Sequence, residues 1–218
     1  MNKLFCTTIL LCTLTASAEK PNIILVYVDD MGYGDASCLN PQAKFKTPNI
    51  DRLAREGMTF TDGHCSDTVC TPSRYGLLTG RYSWRTTLKR GVMKAEAPCL
   101  IAAGRVTLAS FLRDNGYATA MVGKWHLGDE IFVQHGFDTW VGSEDSYRRG
   151  YSQEESLSRF SAYHHFLIAR GFEPDSEIRG QRIFSRHLEA CVPEGLTKAS
   201  FLGERAAEFI HNSDDRPW

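Results

Sequence analysis

The sequence lacks a large net charge of either sign, because it has 25 lysine and arginine residues and 26 aspartate and glutamate residues. A formal charge of −1 gives no general attraction to nucleic acid or to an anionic membrane surface. Internal repeats and low-complexity runs are also missing, which argues against a repeat array or a disordered chain. What remains is the composition of an ordinary globular protein, and 218 residues suffice for one medium α/β domain.

Long apolar runs are scarce, and the most informative one opens the chain. The first residues, MNKLFCTTILLCTLTASA, combine an early lysine, an apolar middle and two alanines, Ala16 and Ala18, in an A-x-A arrangement. This is the pattern of a secretory signal peptide, and the apolar stretch is too short to span a bilayer. A membrane anchor or a buried strand is the competing interpretation. We predict that residues 1–18 are a signal peptide, that the protein is exported to the periplasm or the extracellular space, and that no membrane attachment survives cleavage.

Cysteine is sparse once the signal peptide is removed. Five cysteines remain, at positions 38, 65, 70, 99 and 191. An odd number in an exported protein leaves at least one thiol unpaired, modified or paired outside the chain.

The start of the mature sequence predicts a buried strand that ends in two carboxylates. Residues 23–28 form a continuous apolar run typical of a parallel strand, and Asp29 and Asp30 follow it, before a glycine-bearing loop. Ligands of open α/β sheets bind at the carboxyl ends of strands. Two adjacent carboxylates there form half of a site for a hard cation such as calcium. A solvated turn with helix-capping aspartates is the alternative.

Helix and strand patterns alternate along the next hundred residues. Cap residues, prolines and glycines predict helices over 48–56, 72–79 and 107–115. Period-two alternation predicts strands at 58–64 and 117–123, and further helices are expected in the middle of 147–175 and over 196–213. This alternation indicates a βαβ architecture.

Two short segments carry candidate chemistry. Cys70 lies just before a predicted helix N-terminus, and Arg74 follows four residues later, so that a cation and helix N–H groups would form an anion pocket. Cys70 could equally be a disulfide partner, a buried small hydrophobic residue or a surface thiol. Lys124 and His126 are two residues apart at a strand end and can face the same side, where they would suit sulfate or phosphate. A surface lysine and a structural histidine are the alternative there, and the other histidines are interpreted as structural or solvated.

Together these segments resemble the sulfatase family. CTPSRYGLLTG resembles the signature C-x-P-S-R, and GYATAMVGKWH resembles the second signature of that family. The flanking segments PNIILVYVDDMGYGD, TPNIDRLAREGMTFTDGHC and HGFDTWVG follow in the family's order, so the resemblance is close over residues 21–142. Thr68 departs from it, because the family usually has a smaller residue there.

The resemblance implies an alkaline phosphatase-like α/β fold, a mixed, mostly parallel sheet flanked by helices. Full-length sulfatases are longer, and their C-terminal half supplies further metal and substrate ligands that have no match here. Residues 19–218 are therefore expected to be the N-terminal part of a sulfatase catalytic domain, a truncated one.

The resemblance also implies a mechanism and a role for each matched residue. In sulfatases a maturing enzyme oxidises the signature cysteine, here Cys70, to Cα-formylglycine, whose hydrated aldehyde attacks the sulfur of a sulfate ester. Asp29, Asp30 and the modified Cys70 would bind Ca²⁺. Arg74 would steady the diol, Lys124 would bind sulfate, and His126 would hydrogen-bond the diol or the sulfate. The implied substrates are sulfated carbohydrates, including polysaccharides, or aryl sulfates.

Two other functions compete with this one. A phosphatase or phosphodiesterase of the same superfamily would use a Ser or Thr nucleophile and usually zinc, which the cysteine of C-x-P-S-R argues against. A non-catalytic remnant is the second alternative, because half of the metal shell is missing. The isolated chain is expected to show little or no sulfatase activity.

Overall fold

The computed structural model describes residues 19–144, 152–172, 177–178, 181–182 and 192–218. The predicted signal peptide, Pro174 and Cys191 lie outside these residues. No helix among the described residues is both long enough and apolar enough to cross a membrane.

The first helix, α1 (Pro48–Glu56), begins and ends where the sequence predicts. Thr47 is its N-cap residue, Pro48 occupies the first turn, and Gly57 follows the last turn. The Thr47 hydroxyl donates to Asp51 Oδ1 at 2.8 Å, and the other carboxylate oxygen of Asp51 accepts from the Ser37 hydroxyl at 2.7 Å. These bonds anchor the start of α1 to the preceding turn.

The second helix, α2 (Cys70–Thr79), begins two residues earlier than predicted. Val69 is the residue before it, so Cys70 belongs to the first turn and Pro72 to the third position. Prolines are tolerated there because the first N–H groups of a helix have no intrahelical partner. Gly80 ends α2 in the left-handed conformation, with φ of 65°, as expected of a glycine after a helix.

The parallel sheet follows the third helix. Reciprocal hydrogen bonds between Thr107 and Ser110 cap α3 (Leu108–Asp114). Strand β1 (Ala120–Gly123) then pairs in parallel with β2 (Thr139–Gly142). The prediction of a helix, a glycine stop and a strand in this region is confirmed. The main core lies beneath this sheet and α2, and its buried members are Tyr75, Leu100, Ile101, Met121, Trp125 and Leu127.

A second, smaller buried cluster joins two of the remaining elements, α5 (Ala162–Ile168) and α6 (Lys198–Asn212). The others are α4 (Gln153–Arg159) and the antiparallel pair β3 (Glu177–Ile178) and β4 (Gln181–Arg182). Short 3₁₀ turns occur at Tyr33–Asp35, Ser83–Arg85 and Glu194–Leu196. Tyr163, Leu167 and Phe201 bury their side chains together. Within α5, His164 is buried and His165 is exposed, so these neighbours point apart as expected.

Two predicted strands are wrong. Residues 23–28 and 58–64 form no strand, and their apolar side chains are solvent-exposed, with Val26 at 74% and Phe60 at 76%. A strand exists only when a neighbour accepts and donates its backbone hydrogen bonds. Within the described residues, the N–H of Ile23 meets the carbonyl of Trp218 instead of a neighbouring strand.

Candidate active site

The candidate site is built on the first turn of α2, whose residues Thr71 to Tyr75 are buried. Cys70 at its start is half-buried and carries a free thiol. The Ser73 hydroxyl donates to the carbonyl of Cys70 at 3.0 Å. Cys70 therefore sits at a rigid helix N-terminus, where backbone N–H groups favour negative charge.

Two side chains of this turn attach it to the segment after β1. The Thr71 hydroxyl, fully buried, donates to the carbonyl of His126 at 2.8 Å and accepts the N–H of Met93 at 3.0 Å. The buried Arg74 guanidinium donates from Nη1 to the carbonyl of Lys124 at 2.7 Å. These contacts span 55 and 50 residues of sequence, and they bring the two signature segments into one site.

A carboxylate connects the two cations of the site. Asp29 Oδ2 accepts from Lys124 Nζ at 2.5 Å and lies 3.7 Å from Arg74 Nη2. Lys124 Nζ also lies 3.9 Å from Glu144 Oε1. Asp29, Arg74 and Lys124 therefore lie together in the structure.

The pKa values of this cluster follow from its charges. Burial on its own would raise the pKa of Asp29, but the hydrogen bond and charge of Lys124, with Arg74 and His126, lower it overall. Burial opposes the charge of Lys124, yet the hydrogen bond to Asp29 and the charges of Glu144, Asp29 and Cys70 raise its pKa. Lys124 therefore stays an ammonium.

His126 presents an unused acceptor to the same region. Its Nε2 lies 3.1 Å from the carbonyl of Met93, which can only accept, so the proton of the neutral ring is on Nε2. Its Nδ1 is buried and has no hydrogen-bond partner among the described residues. Burial is the main cause of a lowered pKa, with Lys124 and Arg74 adding to it, and this keeps the imidazole neutral. A buried acceptor without a partner favours a ligand that brings a hydroxyl or another donor.

Sequence reasoning missed a residue that supports His126. The backbone of His126 is left-handed, with φ of 55°, which is uncommon outside glycine. The Glu130 carboxylate accepts the N–H of His126 at 2.9 Å and the N–H of Gly128 at 3.3 Å, and only 1% of Glu130 is exposed. The spacing of the two residues in the sequence did not indicate the contact between Glu130 and the His126 N–H, because that contact depends on the left-handed turn.

Of the two predicted metal ligands, Asp30 has fewer described contacts with the candidate site than Asp29. It is exposed and left-handed, with φ of 54°. Among the described residues, no group of three His, Cys, Asp or Glu side chains is arranged to hold a metal ion. Asp29 and Asp30 offer the hard oxygen donors that calcium prefers, but fewer than the six to eight oxygens it usually takes.

Comparison with known proteins agrees with this geometry. The sulfatase family model matches residues 21–218. The chain is 46% identical over 112 residues to an N-acetylgalactosamine-6-O-sulfatase of Bacteroides thetaiotaomicron, covering 51% of this chain and 22% of that protein. It is 39% identical over 155 residues to arylsulfatase A of Bos taurus, covering 69% of this chain and 30% of the relative.

A solved structure supports the fold. The PsFucS1 sulfatase from Pseudoalteromonas sp. superposes with a TM-score of 0.58 and 28% identity, covering 91% of this chain and 42% of that one. The small parallel sheet with flanking helices thus belongs to the alkaline phosphatase-like α/β fold predicted from the sequence. The chain spans less than a third of the length of the two curated relatives described above. With a family model that matches residues 21–218, this chain belongs to the sulfatase family.

Proposed function

We propose that this chain carries the nucleophile and the sulfate-binding cations of a sulfuric ester hydrolase. One observation carries the proposal: the backbone carbonyls of Lys124 and His126 are hydrogen-bonded to Arg74 and Thr71 of the helix that begins at Cys70. This places the Lys124 ammonium, the Arg74 guanidinium and the His126 Nδ1, which has no partner among the described residues, in one site. Two fixed cations at a helix N-terminus suit an anionic ester group.

The nucleophile of the proposal is a formylglycine made from Cys70 by a formylglycine-generating enzyme. Once formed and hydrated, that group would supply a hydroxyl that attacks sulfur and expels the alcohol, and its second hydroxyl would release the sulfate as the aldehyde forms again. Lys124 neutralises charge on the sulfate, Arg74 holds the first turn of α2 against the carbonyl of Lys124, and neutral His126 accepts a proton at Nδ1. The half-buried position of Cys70 limits the access of water to the reacting atoms.

Calcium is the metal of the proposal. Asp29, Asp30 and the oxygen that replaces the Cys70 sulfur would hold it, and further oxygen ligands would complete the shell. Bound calcium supplies positive charge that offsets the sulfate and polarises the nucleophile. The ion pair between Asp29 and Lys124 would then be shared with the metal.

Sulfated carbohydrate is the proposed substrate class, with aryl sulfates second. The relative in Bacteroides thetaiotaomicron is named for a sulfated amino sugar, and the relative in Bos taurus for aryl sulfates. Export through the signal peptide at residues 1–18, and a catalytic domain that begins at residue 19, remain parts of the same proposal.

Mass spectrometry of the chain co-expressed with a formylglycine-generating enzyme tests the proposal. The tryptic peptide over residues 56–74 contains Cys65 as well as Cys70, so that Cys65 serves as an internal control. We expect an aldehyde at position 70, an unchanged thiol at position 65, and no conversion in Arg74→Ala. A thiol at both positions, with the maturing enzyme active on a control peptide, would refute the proposed nucleophile.

A further inference from the structure

Positive charge is concentrated in one stretch of this otherwise balanced chain. Between Asp67 and Asp114 the only carboxylate is Glu96. The same stretch carries eight cations, which are Arg74, Arg81, Arg85, Lys89, Arg90, Lys94, Arg105 and Arg113. Arg74 belongs to the candidate active site, and the other seven have no role there. A local excess of one sign attracts a partner of the other sign.

Three of these arginines line one cavity. Arg81, Arg85 and Arg105 surround a space of about 200 Å³ whose floor is made by Tyr75 and Leu100. Both floor residues are buried in the main core, so the cavity has a rigid apolar base. Its rim is formed by the turn after α2, the 3₁₀ turn Ser83–Arg85 and the loop before α3.

No carboxylate neutralises these arginines within the described part of the chain. None of the three guanidinium groups forms an ion pair there, and no residue of the cavity lining is acidic. Arg85 instead lies over the Trp84 ring, with its guanidinium carbon 5.0 Å from the ring centroid, which fixes its position. The Thr86 hydroxyl at the rim donates to the carbonyl of Ser83 at 2.6 Å.

The cavity is separate from the candidate active site. Cys70 begins α2, whereas Arg81 follows Gly80 at its other end. Ten helical residues extend about 15 Å, so a small anion cannot contact both places. Lys124 and Asp29 are not part of the cavity lining.

We propose that the cavity between Arg81, Arg85 and Arg105 is a second anion site, which binds a tetrahedral oxyanion of the sulfate or phosphate class. Guanidinium groups present paired N–H donors that match such oxygens, and three of them around a cavity bind one anion without a competing carboxylate. The oxyanion can be a free inorganic ion or an ester group on a larger glycan.

Titration of the unmodified full chain, followed by ¹⁵N–¹H NMR, tests this site without depending on formylglycine. The probes are inorganic sulfate, inorganic phosphate and dextran sulfate, with sodium chloride at matched ionic strength as the reference. We expect saturable shifts at residues 81–87 and 102–105 with sulfate or phosphate. Shifts there with dextran sulfate only would assign the site to sulfate esters on a polymer. If sulfate, phosphate and dextran sulfate all shift these resonances no more than sodium chloride does at the same ionic strength, the proposal is overturned.

Matched variants separate this site from general charge and from the active site. Arg85→Ala/Arg105→Ala is expected to raise the apparent Kd at least about tenfold, since each lost bond to a charged group weakens binding strongly. Arg52→Ala/Arg55→Ala removes the same charge from exposed positions on α1 and should leave the Kd unchanged. Lys124→Ala should also leave the apparent Kd unchanged. If Lys124→Ala loses binding and Arg85→Ala/Arg105→Ala does not, the anion binds in the active site and the proposal is overturned.

Discussion

At the scale of single residues, Glu130 has an unusual position, because a buried carboxyl group holds the backbone of a candidate catalytic residue. Burial, opposed by the N–H groups of His126 and Gly128, raises the pKa of Glu130 from 4.5 to about 7. The folded protein therefore keeps a proton that the unfolded chain releases. The stabilisation is complete below pH 4.5 and is lost as pH rises through about 7.

Replacing Glu130 by glutamine tests this linkage. The unfolding free energy of wild type relative to Glu130→Gln is expected to fall by up to about 3 kcal/mol between the two pKa values, because glutamine does not titrate and the other titrating groups, such as His126 and His135, are present in both proteins. Urea denaturation at a series of pH values measures both. Equal pH profiles in the two proteins would show that Glu130 titrates normally.

The alanine variant of the same residue tests the backbone support. Glu130→Ala leaves two N–H groups without an acceptor, at a cost of about 1–3 kcal/mol each if they stay buried. Glutamine keeps a carbonyl acceptor, so Glu130→Gln at pH 5 should be clearly more stable than Glu130→Ala in urea. Similar stability of the two variants would mean that water satisfies these N–H groups.

Residues with a family signature could be predicted from the sequence, and residues defined by tertiary contact could not. The signature segments pointed to Cys70, Arg74, Lys124 and His126, and the structure brings all four together with Asp29. The contacts of the Thr71 hydroxyl and the Glu130 carboxyl were not predicted, because their partners depend on tertiary packing. Asp30 was predicted as an equal partner of Asp29, and calcium binding by the pair stays a prediction.

At the scale of elements, α2 depends on a glycine in its middle. A Cβ atom built on Gly76 would lie 2.7 Å from Ser66 Cβ, whereas one on Gly80 would meet nothing within 4 Å. Gly76→Ala is therefore expected to destabilise the protein by about 1–3 kcal/mol through overpacking, despite the better helix propensity of alanine. Gly80→Ala should cost only its left-handed backbone, about 1–2 kcal/mol.

The double variant Ser66→Gly/Gly76→Ala provides the control. Removing the Ser66 side chain opens the space that the new methyl group needs, so the double variant should be more stable than Gly76→Ala alone. Urea unfolding of the four proteins of this cycle gives the coupling energy. Additive effects would show that α2 shifts away from Ser66 at little cost.

Helices were predictable because their start and stop signals are local. Thr47 with Gly57, and Thr107 with Gly116, bound α1 and α3 within a residue or two of the prediction. Strands were less predictable, because the apolar run at 23–28 needs neighbours whose position no local signal gives. Strand β1 formed because β2 lies beside it.

At the scale of the whole molecule, the exposed apolar run at residues 23–28 is expected to promote self-association of the chain. Ile24 is 63% exposed and Val26 is 74% exposed, in a segment with no charged side chain. Such segments recruit other chains into β-pairing. Ile24→Lys/Val26→Lys should reduce concentration-dependent light scattering without lowering the urea midpoint.

Leu108→Lys/Phe111→Lys is the matched control, because it also adds two positive charges and both residues are exposed on α3, at 40% and 58%, outside the run at residues 23–28. It should leave the light scattering unchanged. Equal suppression by both double variants would mean that added positive charge, rather than the apolar run, governs association.

The contact between the two ends of the described chain has a topological consequence. The N–H of Trp218 donates to Asn22 Oδ1 at 3.0 Å, the N–H of Ile23 meets the carbonyl of Trp218, and Ala118 donates to the carbonyl of Pro217 at 2.8 Å. Asn22 and Trp218 therefore lie side by side, so that the start of the exposed run depends on a residue 196 positions further along the sequence.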